Sequence, residues 1–392
     1  MVDLEEYGIN MWPEEKIIAF RKTLLQWYDE NKRDLPWRKN TLPYSVWVSE
    51  IMLQQTRVDT VIPYYRRFLE WFPTITDLAE APEQTLLKAW EGLGYYSRAR
   101  NMQAAAKQMV ELYNGEFPTT YEEIIQLKGI GPYTAGAISS ISFNLPTPAV
   151  DGNLMRVISR LFEIPYDIGQ PSNRKIYQAV AEILIDPDRP GDFNQALMDL
   201  GSDIESAFTP KPELNPIKEF SSAYLNGTMD QYPVKKPKKK PRPIKYKAFV
   251  IQNKQGEYLL EKNNQADLLS GFWHFPLIED FTKEAKQIDL LENEMQEEYQ
   301  VPNQDIPLEI QFETLYHCKV SWQESTYKQV QHIFSHQKWF ITIQSGLTND
   351  DIVSDDHKRE LKWVSSEEFS TYPFAKPQQK IWHEIQKAHK FL

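Results

Sequence analysis

Two carboxylates stand in surroundings that bear on proton chemistry. Glu50 lies in WVSEIMLQQT (47–56) among Val48, Ile51, Met52 and Leu53. On a solvated helix face it would titrate normally. If partly desolvated, it would keep its acid form near neutral pH, as a general acid requires. Asp151 opens VDGNLMRVISR (150–160) with Asn153, ahead of an apolar run of helical period. Both are good N-caps, and capping alone accounts for them. An Asp beside a helix N-terminus also stays ionised readily, which suits a site needing a fixed negative charge.

A third feature is LKGIGPYTAGA (127–137), where one helix ends at Gly129 and another restarts after Gly131. Backbone N–H groups at such a turn suit a phosphate, and a plain helix–helix packing corner also uses this pattern. Contacts of that kind would position a nucleic acid without reading its bases.

The elements that must carry these residues are helical at first. Apolar residues recur at helical spacing in IIAFRKTLLQWY (17–28), VWVSEIMLQQTRV (46–58), PYYRRFLEWF (63–72) and ARNMQAAAKQMVELY (99–113). Breaks fall at Pro36, Pro73, Pro82, Gly92, Gly94 and Pro118. The pattern changes after QYPVKKPKKKPRPIKYK (231–247), which holds eight Lys/Arg and no Asp/Glu. Proline and mutually repelling lysines make it an extended linker, whose cations serve as a solvated spacer or as phosphate contacts. Beyond it, YKAFVIQN, GEYLLEK, HIFSHQKWFITIQ and LKWVS read as strands, with helices around 283–299 and 375–391.

The 392 residues, 41% hydrophobic and 25% charged, support folded domains rather than disorder throughout. The formal charge of −11 means that any nucleic-acid site must be a local surface of its own sign. The single cysteine, Cys318, excludes an internal disulfide framework and a four-thiolate metal site. No apolar stretch is long enough to span a membrane, and MVDLEEYGIN does not read as a signal peptide. A soluble, cytoplasmic protein is expected.

In their order and separations the three motifs resemble the helix–hairpin–helix DNA glycosylase superfamily, most closely the MutY-type adenine DNA glycosylases. The resemblance spans nearly the whole chain. It implies an α+β multidomain protein: an all-α, two-lobed glycosylase domain over 1–230, the basic linker 231–247, and a mixed α/β Nudix-like domain over 248–392. It also implies a monomer, associated with the nucleoid, acting on double-stranded DNA with adenine opposite 8-oxoguanine.

By the same resemblance Glu50 protonates the target adenine, and Asp151 is the electrostatic partner of an oxocarbenium-like sugar. Such glycosidic chemistry needs one carboxyl to give a proton and another to stay charged. Asn153 and Tyr133 take positioning roles. Relatives that also cleave the strand carry a lysine where Tyr133 stands; a phenol forms no Schiff base, which implies a glycosylase without strong lyase activity. RDLPWRKN (33–40) resembles the adenine-pocket segment, implicating Arg33, Leu35, Trp37 and Arg38, with Gln195 as a further contact. Gln55 and Thr56, with Leu93 and Tyr95, resemble the wedge beside the opposite base, and Gly129 and Gly131 the phosphate-binding hairpin. Phe334, Ser335 and His336 match the loop that detects 8-oxoguanine. The C-terminal part keeps Glu294, Glu297 and Glu298 of a Nudix helix but lacks the Gly-Gly loop and the Arg, which argues against diphosphate hydrolysis.

The chain departs from the family at its iron–sulfur cluster. Glu205, Pro212, Asn215 and Ser221 fall at the four cysteine positions, so no cluster, no other cofactor and no metal are expected. Apolar packing by Ile204, Phe208, Leu214, Ile217 and Phe220 is the expected replacement. Two rival readings are a bifunctional pyrimidine-lesion glycosylase, disfavoured by Tyr133, and a mismatch-binding protein without catalysis, disfavoured because both carboxylates are kept.

Overall fold

The computed structural model describes residues 2–207, 209–237, 240–264, 268–281, 306–352 and 359–389. The chain divides into two compact units: Met1–Ala81 with Ser97–Lys238, and Pro82–Tyr96 with Lys239–Leu392.

Helices of the first unit are α1 (Glu14–Asn31), α2 (Pro43–Leu53), α3 (Val58–Trp71), α4 (Ile75–Glu80), α6 (Ser97–Tyr113), α7 (Tyr121–Ile124), α8 (Pro132–Phe143), α9 (Gly152–Phe162), α10 (Arg174–Leu184), α11 (Pro190–Asp199) and α12 (Ser222–Leu225). The helix α5 (Glu83–Ala89) belongs to the second unit. Two lobes follow from what each helix buries. Helix α1 turns Ile17, Phe20, Leu24 and Tyr28 inward, a 3.6-period stripe that packs with Leu154, Val157, Ile158 and Leu161 of α9 and with the apolar faces of α10 and α11. In the other lobe α2 lies against α3 and α8, and α4 against α6. Helix α8 is buried from Thr134 to Ser140 and touches both α2 and α11, which makes it the shared wall. Asn194 on α11 fastens that wall: its Nδ2 donates to Ser140 Oγ at 2.9 Å and to the Thr147 carbonyl at 3.0 Å.

The helix expected over 46–58 is two helices. It ends at Leu53 because Arg98 Nη1 takes the carbonyls of Ile51, Met52 and Gln54 at 2.7, 3.1 and 2.6 Å, capping the C-terminus from α6. The turn that follows brings Gln55 to a φ of 58°.

The second unit holds an eight-stranded sheet: β1 (Arg242–Gln252), β2 (Tyr258–Lys262), β3 (Trp273–His274), β4 (Leu277–Glu279), β5 (Val320–Trp322), β6 (Val330–Ile333), β7 (Gln337–Thr348) and β8 (Glu360–Val364). Its main path runs β3-β2-β1-β7-β5. Strands β1 and β7 pair in parallel from Arg242–Gln337 to Gln252–Leu347. Among the described residues, α13 (Leu308–Leu315) and α14 (Lys376–His389) follow the linker with the sheet, and Phe312 of α13 stacks on Phe249 of β1 at 4.6 Å. The basic segment is not extended linker to its end: from Arg242 onward it is strand, because its backbone finds a partner in β7. The helix expected around 283–299, with Glu294, Glu297 and Glu298, lies outside the described residues.

Candidate active site

A cleft of about 750 Å³ in the first unit is lined by α2, the start of α8 and the start of α9. Among the expected residues, Arg33, Leu35, Trp37, Arg38, Glu50, Gln55, Thr56, Gly131, Tyr133, Asp151, Asn153 and Gln195 all line it. Helix packing therefore gathers residues up to 162 positions apart around one space.

Glu50 is 6% exposed, on a helix whose every residue from Ser45 to Met52 is buried. The Tyr133 hydroxyl donates to Glu50 Oε2 at 2.6 Å. Burial raises the Glu50 pKa to about 7; the Tyr133 bond and Arg38 pull it down, while Asp151 pushes it up. An acid form is thus present near neutrality, as a proton donor needs.

Asp151 is the N-cap of α9, and its Oδ1 accepts the Leu154 N–H at 2.7 Å. Its Oδ2 accepts Asn153 Nδ2 at 2.9 Å. Capping and site geometry are here one arrangement. Burial lifts the Asp151 pKa above the usual carboxylate range, against the N–H groups of Leu154 and Asn153, so the helix N-terminus only partly offsets desolvation.

Behind this pair stands Arg156, which the sequence did not single out. Its Nη2 donates to Asn153 Oδ1 at 2.7 Å and to the Gly201 carbonyl at 2.5 Å, and its Nε to the Glu205 carbonyl at 2.5 Å. Those carbonyls belong to a π turn, Leu200–Ile204, and its exit. A Cβ on Gly201 would stand 2.8 Å from Asn153 Cβ, so only glycine lets the turn close on the site.

The pocket arginines are held rather than free. Asp199, 1% exposed, accepts from Arg33 Nε at 2.8 Å and from Arg38 Nη1 and Nη2 at 2.6 and 3.0 Å. Two arginines in RDLPWRKN need a counter-charge once desolvated, and Asp199 is the carboxylate of FNQALMDLG; that was the available signal. Trp37 is buried edge-on to Tyr65 with ring centres 5.5 Å apart, so it packs as well as lining the cleft. Gln195 Nε2 donates to the Gly191 carbonyl at 3.3 Å.

Gly131 is the N-cap of α8 and is followed by Pro132 at the first helical position. Gly129 has a φ of +76°, and a Cβ there would meet Asn101 Cβ at 2.6 Å. Both demands select glycine.

Leu93 and Tyr95 do not line the cleft; they lie in 82–96, within the second unit. Also in that unit, Phe334, Ser335 and His336 form the tight turn between β6 and β7, where the Phe334 N–H donates to the Gln337 carbonyl at 2.7 Å. The Phe334 ring lies edge-on to Trp339, centres 4.8 Å apart, and Ser335 and His336 are exposed.

At the four positions aligned with cluster cysteines, Glu205, Asn215 and Ser221 are buried. Arg160 Nη1 donates to Glu205 Oε2 at 3.0 Å, and Asn215 Nδ2 to Glu205 Oε1 at 2.5 Å. Ser221 Oγ donates to the Arg160 carbonyl at 3.1 Å. The apolar packing expected here is only partial. Ile217 is fully buried and Ile204 and Phe220 pack on the core, but Leu214 is 67% exposed because its short helical turn faces solvent; Phe208 lies outside the described residues. Beside it Glu205, Asn215 and Ser221 form a buried polar network with Arg160.

With the fold and this cleft in view, comparison defines the class. Residues 48–184 match the HhH-GPD superfamily of base excision DNA repair proteins, and residues 247–384 match the NUDIX domain. An adenine DNA glycosylase of Buchnera aphidicola (subsp. Baizongia pistaciae) is 40% identical over 66% of this chain and 74% of its own length. That of Rattus norvegicus is 32% identical over 93% and 78%, and that of Arabidopsis thaliana 39% over 69% and 49%. The chain thus spans about half the length of the plant relative. The chain belongs to the adenine DNA glycosylase family. Among the described residues no helix is long and apolar enough to cross a membrane.

Proposed function

We propose that this chain hydrolyses the N-glycosidic bond of adenine paired with 8-oxoguanine or guanine in duplex DNA, leaving an abasic site. The observation that carries the reading is the buried Glu50, held by the Tyr133 hydroxyl at 2.6 Å and still protonated in part near pH 7, in the cleft that Asp151 shares.

The adenine leaves the stack and enters the cleft, where Leu35, Trp37 and Gln195 meet it and Asp199 holds Arg33 and Arg38 in place. Glu50 delivers its proton to the base, the C–N bond breaks, and the base departs with the bonding pair. Asp151 faces the developing positive charge of the sugar, and water completes the hydrolysis. Tyr133 offers no amine, so no covalent imine forms and the strand stays intact until alkali is added. The hairpin of Gly129 and Gly131 receives a phosphate, Gln55, Thr56, Leu93 and Tyr95 fill the opened duplex, and Phe334, Ser335 and His336 read the opposite base. The protein works as a monomer on cytoplasmic, nucleoid DNA.

It works without an iron–sulfur cluster. Glu205, Pro212, Asn215 and Ser221 supply no thiolate, Pro212 has no donor, and the Glu205 oxygens are taken by Arg160 and Asn215.

Single-turnover assays on duplexes with adenine opposite 8-oxoguanine, guanine or thymine, with and without alkali, test this. Alkali-dependent cleavage confined to the first two is expected. Cleavage without alkali would replace the reading by a bifunctional enzyme, and tight binding without base release by a mismatch-binding protein.

A further inference from the structure

One carboxylate anchors the segment that carries Leu93 and Tyr95. Glu91 Oε1 accepts the backbone N–H of Phe374 at 3.1 Å and Gln379 Nε2 at 3.0 Å. Its Oε2 stands 2.6 Å from Lys88 Nζ, which donates in turn to the Tyr372 carbonyl at 3.2 Å. Both side chains are largely withdrawn from water, 16% exposed for Glu91 and 26% for Lys88, where charge-assisted bonds are screened less than at an open surface.

The turn beyond Glu91 is closed on itself. Trp90 is fully buried and its Nε1 donates to the Gly94 carbonyl at 3.1 Å. Tyr95 takes a φ of 49°, a left-handed conformation that a non-glycine residue keeps only when its surroundings hold it. Its side chain is 44% exposed, while the ring of Tyr96 packs on Phe272 with centres 4.0 Å apart.

From Glu91 a continuous hydrogen-bonded path leads to the Phe334–His336 turn. Phe374 bridges Trp273 of β3; β3 pairs with β2, β2 with β1, and β1 with β7. The Arg242 N–H, at the head of β1, donates to the His336 carbonyl at 2.9 Å. Two stretches separated by more than two hundred residues therefore belong to one compact, hydrogen-bonded unit.

We propose that Glu91, braced by Lys88, is a specificity-positioning residue: it fixes the Leu93–Tyr95 turn in register with the Phe334–His336 turn, so that both meet the base opposite adenine as a single element. The proposal rests on the function proposed above. Guanine and 8-oxoguanine differ by very few atoms, and a site that separates them must hold its contacts to a fraction of an ångström. If the two turns moved independently, contact at one would not order the other.

The test uses the full-length protein and its Glu91→Ala, Glu91→Gln and Lys88→Met variants. Single-turnover rates are measured at saturating enzyme on adenine opposite 8-oxoguanine and opposite guanine. Glu91→Ala is expected to cut the ratio of the two rates about ten-fold, through the 8-oxoguanine duplex, with the guanine duplex changed less than about two-fold. Glu91→Gln, whose amide oxygen still accepts from Phe374 and Gln379, should keep most of the ratio, and Lys88→Met should lower it partway. An unchanged ratio in both Glu91→Ala and Lys88→Met overturns the proposal; if Glu91→Ala does not fold, Lys88→Met alone decides it. Wild-type protein that releases no adenine overturns the proposed function and this inference with it; wild-type protein that releases adenine equally from both duplexes leaves the proposed function standing and overturns this inference alone.

Discussion

Arg156 Nη2 donates to Asn153 Oδ1 at 2.7 Å, and this one bond determines which end of the Asn153 amide faces Asp151. With its oxygen held, Asn153 can only present its NH2 to the Asp151 carboxylate, as the 2.9 Å contact shows. An amide turned the other way would set oxygen against oxygen. Arg156→Ala is therefore expected to slow adenine release roughly 100-fold, the scale of a misplaced catalytic group, with mismatch binding little changed. A rate within three-fold of wild type would argue against this role.

Glu50 gives a prediction on stability as well as on rate. Its pKa near 7 in the fold, against 4.5 for an ordinary glutamate, means that the folded state binds the proton more tightly than the unfolded chain. The associated stability is fully present below pH 4.5 and lost as pH rises through 7, a span on the order of 3 kcal/mol. Glu50→Gln cannot lose it. The variant should melt progressively higher than wild type as pH goes from 5 to 8, while excision is abolished and binding stays within a few-fold. A melting difference independent of pH would count against a buried, titrating Glu50.

Tyr133 separates positioning from proton supply. Its hydroxyl stabilises the charged form of Glu50, so Tyr133→Phe removes a downward pull and raises the Glu50 pKa further. The alkaline limb of the rate–pH profile, expected near 7 in wild type, should move upward in the variant even though the maximal rate falls. A limb that stays in place would assign it to another group.

The polar network of Glu205, Asn215, Ser221 and Arg160 invites comparison with the apolar packing beside it. Glu205→Ala leaves Arg160, 4% exposed at its side chain, without its ion-pair partner, and about 3–5 kcal/mol of stability should be lost. Leu214→Ala, at an exposed site, should stay within about 0.5 kcal/mol of wild type. Phe220, edge-on to Phe20 at 5.6 Å, should fall between them. Chemical denaturation orders the three, and equal losses would mean that the network is not the staple. Purified protein should lack visible absorbance and bound iron.

Local signals in the sequence determined a good deal. Apolar period marked the helices and strands, Gly129 and Gly131 marked a turn whose first glycine no other residue can replace without strain, and Asp151 marked the start of α9. Glu50 was conspicuous because a carboxylate in an apolar run must be either solvated or perturbed, although the run itself could not say which. Only tertiary packing decided that: α2 is enclosed by α3 and α8, so Glu50 is buried and accepts the Tyr133 hydroxyl. The partners that matter most were illegible for the same reason. Arg156 acts through a carbonyl of a π turn, and Glu91 bonds to a backbone N–H 283 residues away. A hydrogen bond to a main-chain atom leaves no residue type to recognise in the partner, so such contacts emerge only when the chain is folded.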